Sequence, residues 1–67
     1  MQKDLDRALQ DAKAWLYLDG VEAIGKGEYE GEACIVVITT RDPEEFIGII
    51  PDEFQGFKVI IERANNS

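Results

Sequence analysis

With 67 residues, a single cysteine and no histidine, the chain can close no intramolecular disulfide and offers no ligand set for a structural zinc. Fourteen acidic residues stand against seven basic ones, a net charge of −7, and the lysines and arginines are scattered; nucleic acid and anionic membranes are thereby disfavoured as direct partners. No apolar run approaches the ~18 residues of a membrane span, and the acid-bearing N-terminus MQKDLDRALQ lacks the apolar core of a signal peptide, so a cytoplasmic protein is expected.

A chain of this size reads as one domain, residues 1–67. It can bury only about 60% of the surface that its unfolded form exposes. Either a compact core just suffices, or apolar surface is shared between chains.

Residues 3–18 have the spacing of an amphipathic helix. Leu5, Ala8, Leu9, Ala12, Trp15 and Leu16 fall on one stripe, with Lys3, Asp6, Arg7, Gln10, Asp11 and Lys13 opposite. Asp4 and Asp6 suit the positive end of the helix dipole, and Asp19-Gly20 suits its end. Residues 21–40 then predict a hairpin around a tight turn at Tyr29, Glu30 and Gly31, with Gly31 in a left-handed bulge position.

That turn sets the expected register. It places Gly27 near Ala33, Gly25 near Ile35, Ala23 near Val37 and Val21 near Thr39. The small residues of the first strand would then receive the bulky side of the N-terminal helix. The second face would hold Ile24, Cys34, Val36 and Ile38, with Glu22 and Lys26 at its edges. A slip of one residue would exchange the two sets.

Asp42-Pro43-Glu44-Glu45 is a helix start, with an N-cap residue, proline at the first position and acids in the first turn. A short helix is expected over 43–50, with a stub of extended chain at 47–50 as the alternative because β-branched residues weaken helices. Residues 52–56 read as a turn and 57–62 as a half-buried strand, with a tail at 64–67. The predicted fold class is α+β: helix, strand, strand, helix, strand, with a three-stranded mixed sheet packed against the N-terminal helix.

Catalytic and metal chemistry find little support. Without histidine the commonest general base is missing, and Cys34 lies inside an apolar strand with no basic helper beyond Lys26. Glu28, Glu30 and Glu32 cluster at the hairpin tip but lack the ligand ladder of a calcium loop. Gly25-Lys26-Gly27 is followed neither by a P-loop signature nor by a helix. The element order overlaps that of type II KH domains, yet the region where their GXXG loop would lie reads Arg41-Asp42-Pro43-Glu44-Glu45. The expectation is a protein that is not an enzyme and that uses no cofactor, metal or nucleic acid.

The segments VEAIGKGEYEGEACIVV and IPDEFQGFKVIIE resemble a small accessory module that precedes some bacterial trypsin-like peptidase domains. The resemblance spans residues 21–62: a glycine-bearing strand, a tight turn, an apolar strand, then a proline, a glycine and a valine-rich strand. That module holds no catalytic triad, so the resemblance implies an accessory or interaction role. The residues themselves lead to the same expectation, a module that binds a protein partner or a second copy of itself. The surface would be the second sheet face, Ile24, Cys34, Val36, Ile38 and Ile60. The alternative is an acidic regulator, or a mimic of nucleic-acid charge, that binds a basic protein through Glu28, Glu30, Glu32, Glu44, Glu45, Asp52 and Glu53.

Overall fold

The computed structural model describes residues 4–64. Lys3, assigned above to the first helix, and positions 65–67 of the tail lie outside the described residues. Helix α1 spans Leu5–Ala12 and starts where its cap dictates. Asp4 is extended and its carboxylate accepts from the Arg7 backbone N–H at 3.1 Å. Beyond Ala12 the helix tightens into a 3-10 helix over Lys13–Tyr17 instead of continuing as α-helix to residue 18. With three residues per turn, Trp15 stays above Ala12 on the buried side, whereas Leu16 rotates off the stripe and is 42% exposed.

Four strands follow: β1 (Val21–Tyr29), β2 (Glu32–Thr39), β3 (Glu53–Phe54) and β4 (Phe57–Arg63). They form one sheet in the order β1-β2-β4-β3. The β2–β4 pair is parallel and the other two are antiparallel. The architecture is α+β, with the three expected main strands and a short fourth.

The hairpin register differs from expectation by one residue. Tyr29 pairs with Glu32 across a two-residue turn in which both Glu30 (φ 51°) and Gly31 (φ 80°) are left-handed. That is the type I′ conformation, whose twist matches the flanking strands. Gly27 therefore lies opposite Cys34, Gly25 opposite Val36 and Ile24 opposite Val37. Ile24, the largest aliphatic side chain of β1, is thereby carried to the core face, where it packs against the buried cluster. An irregularity between Val21 and Ala23 returns Val21 to its expected partner, Thr39.

The core consists of Ala8, Ala12, Ile35, Val37, Phe46, Ile50, Phe57 and Val59. Small and large are reversed relative to the sequence reading. The small residues that admit close approach are Ala8 and Ala12 on the helix, both fully buried, and they meet the bulky Ile35 and Val37 side of the sheet. Trp15 closes one end of this layer through an edge-to-face contact with Phe54, 4.9 Å between ring centroids.

The crossover from β2 to β4 starts at Asp42, whose side chain accepts from the Glu44 N–H at 3.1 Å. The helix expected over 43–50 is only one 3-10 turn, Pro43–Phe46; Ile47 is already extended. Phe46 and Ile50 are buried in the same core cluster as α1, so the crossover covers the face that the helix covers. The turn expected at 52–56 contains β3, joined to β4 by a second two-residue turn at Gln55-Gly56.

Candidate functional site

The residues singled out from sequence separate into three environments. Val36, Ile38 and Ile60 do share the sheet face that points away from α1, since Val36 pairs with Ile60 in the parallel ladder, and all three are half-buried. Ile24 does not belong with them: the register slip turns it to the core. Cys34 lies on that face by register yet is 1% exposed. It sits between Gly27 on β1 and Lys58 on β4. The Lys58 ammonium lies 4.9 Å from the centre of the Tyr29 ring, a cation–π contact that spans β2 above the thiol.

Both covering elements, α1 and the crossover, pack on the opposite side, so among the described residues this face has no cover. Its apolar strip is narrow. Beside Val36 and Ile38 the neighbouring positions on β1 are Gly25 and Ala23, both exposed, and Glu62 flanks Ile38 on β4. The face offers a flat aliphatic ridge rather than a cavity.

A second apolar surface was not anticipated. Residues 43–52 descend beside the outer edge of β4 and leave a cleft of about 610 Å³ against it. Its apolar lining includes Ile47, Ile49, Pro51 and Ile61, and Glu44 and Asp52 line it as well. Ile47 and Ile49 are 75% and 57% exposed. A turn explains the pattern: Gly48 is left-handed (φ 87°) and the Ile49 and Ile50 N–H groups both donate to the Phe46 carbonyl, at 3.0 and 2.9 Å, so Ile50 is carried into the core while Ile47 and Ile49 stay outside it. The sequence signal was FIGIIP, which reads as a helix face when taken at helical spacing.

Among the described residues, the edge beside that cleft is incompletely paired. β3 contacts β4 only at Glu53–Lys58 and Phe54–Phe57, and the Val59 N–H donates to the Asp52 carbonyl at 2.9 Å. On the other side of β4 the Ala64 N–H donates to the Thr39 carbonyl. Backbone groups alternate along a strand, so those of Ile61 and Arg63 face outward past the end of β3.

The acidic residues do not assemble into a site. Glu28, Glu30 and Glu32 are exposed at the hairpin tip. Among the described residues no three His, Cys, Asp or Glu side chains converge as metal ligands. Asp19 and Glu45 are engaged by Arg41, at 3.2 and 3.9 Å. Glu44, Asp52 and Glu53 form no ion pair among the described residues. No described helix is long and apolar enough to cross a membrane.

Fold and surfaces together define a small α+β domain in which, among the described residues, one flat and one concave apolar surface have no cover. No family model matches the chain, and neither the curated proteins nor the solved structures contain a significant match to it.

Proposed function

We propose that the chain is a non-enzymatic protein-interaction module that associates with a second copy of itself through the sheet face bearing Val36, Ile38 and Ile60. One observation supports the reading: α1 and the crossover both cover the same side of the sheet, which leaves the other aliphatic side without a covering element among the described residues. Burying such a ridge against its own copy supplies apolar area that a chain of this size lacks in its own core. A lone, buried thiol suits a reducing compartment and supports a cytoplasmic setting for such a module. An accessory role of the kind implied by the peptidase-associated resemblance agrees with this reading.

Sedimentation velocity across a micromolar concentration series tests it. The expected result is a concentration-dependent dimer that Val36→Glu dissociates. Gly25→Glu provides an independent check, because a side chain added at Gly25 meets nothing within 4 Å and the fold should tolerate it. A monomer at every concentration, or a dimer that survives both substitutions, overturns the proposal.

A further inference from the structure

The cleft beside β4 differs from the flat face in shape, charge and backbone chemistry. Its floor is aliphatic, with Ile61 from the strand and Ile47 and Ile49 from the descending chain. The charged side chains that line it, Glu44 and Asp52, are both acidic, and neither is neutralised by an ion pair among the described residues. Alongside run the outward backbone groups of Ile61 and Arg63, where β3 has stopped. An extended chain that pairs with an open edge satisfies those groups and presents alternate side chains to opposite sides.

We propose that this edge and cleft receive an extended segment of a partner protein in which aliphatic residues alternate with lysine or arginine, added to the sheet as a strand beside Ile61 and Arg63. The alternation follows from the register. Side chains level with Ile61 enter the cleft between Ile47 and Ile49, so they must be apolar. Their neighbours in sequence emerge on the opposite face, where Ile60 and Glu62 flank Ile61 on β4 and Glu53 stands at the end of β3 opposite Lys58, so a long basic side chain there can reach Glu62. Glu44 and Asp52 add attraction for a basic segment as it passes the mouth of the cleft. The local acids argue against pairing with the same edge of a second copy, which would set Glu44 and Asp52 against their own duplicates. The flat face and this cleft are therefore separate surfaces with separate partners.

The probe is a fluorescent peptide of about eight residues in which valine and lysine alternate, long enough to span an edge of strand length. Anisotropy with the full chain should show saturable binding that weakens steeply as salt is raised. The double substitution of Ile47→Ser and Ile49→Ser should lower affinity by roughly tenfold or more. Both side chains are solvent-exposed, so the fold should be retained. In nuclear magnetic resonance spectra the largest amide shifts should fall at Ile61 and Arg63. A peptide with glutamate in place of lysine that binds equally well overturns the proposal. So does unchanged affinity in the double variant, a set of shifts centred on Val36, Ile38 and Ile60, or no binding at millimolar peptide. Repeating the titration on Val36→Glu separates this proposal from self-association, since peptide binding should persist in that variant whether or not dimers form.

Discussion

Two glycines on β1, two residues apart and facing the same side, should respond oppositely to the same substitution. A β-carbon built at Gly27 would lie 2.6 Å from Val36 Cγ2 and 3.4 Å from Cys34 Sγ. Val36 is β-branched, so its methyl yields only by leaving a preferred rotamer, at about 0.5–1.5 kcal/mol. Overpacking of the adjoining thiol adds strain within the usual range of about 1–3 kcal/mol. Against this stands the entropic gain of replacing glycine, about 0.4–1 kcal/mol. Gly27→Ala is thus expected to destabilise by about 2 kcal/mol. Gly25→Ala meets nothing within 4 Å and should keep the whole gain. The entropic gain is common to both, so the two variants should differ by roughly 3 kcal/mol, which at a urea m-value near ~1 kcal/mol/M separates their midpoints by about 3 M. Urea titration followed by circular dichroism, at a concentration where the protein is monomeric, reads the difference. In the slipped register, with Gly25 beside Ile35 under the helix, Gly25→Ala would be the damaging change. Equal midpoints, or a lower midpoint for Gly25→Ala, would refute the one-residue assignment.

Glu30→Asn should stabilise the protein by on the order of 1 kcal/mol, because asparagine tolerates the left-handed conformation that Glu30 adopts at φ 51°. The gain should survive high salt; if it disappears there, relief of repulsion with Glu28 and Glu32 is the cause and the conformational reasoning fails. Thr39→Val keeps the shape of a fully buried side chain but removes a hydroxyl that donates to the Arg41 carbonyl at 2.8 Å, with Glu62 O at 3.4 Å. It should cost about 1–2 kcal/mol. For a domain of this size that appears in a thermal melt as a fall of several degrees, about 4–8 °C per kcal/mol; an unchanged midpoint would mean that water satisfies both carbonyls in the variant.

The fold class was legible because it rests on long-range patterns: the stripe through Ala8 and Ala12, the unbroken apolar run of β2, and a crossover long enough for parallel pairing. The errors arose where one residue decides the geometry. EYEGE suits a three-residue loop as well as a two-residue one, and only the burial of Ile24 opposite Val37 separates them. Leu16 fits the helical stripe at 3.6 residues per turn and leaves it at three, and no residue near Lys13 announces the tightening. FIGIIP has helical spacing and strand propensity at once, so Ile47 and Ile49 fit the apolar side of a short helix, whereas the left-handed turn at Gly48 leaves both exposed. The short β3 was hidden in a segment whose turn residues dominate its composition.

These same errors decide how the surfaces divide. In the expected register the second face would have carried Ile24 beside Val36, a broad ridge across two strands. The observed register withdraws Ile24 and exposes Gly25 and Ala23 instead, so β1 contributes little apolar area there. A flat partner can approach closely across those small residues, which favours a second sheet over an inserted side chain. The turn at Gly48 does the opposite on the other side, where it leaves two isoleucines exposed around a cleft with acidic lining. Exposed apolar surface among the described residues thus lies in two places, a flat ridge at Val36, Ile38 and Ile60 and a concave cleft at Ile47 and Ile49, and the difference in shape is why the two proposals above give them different partners.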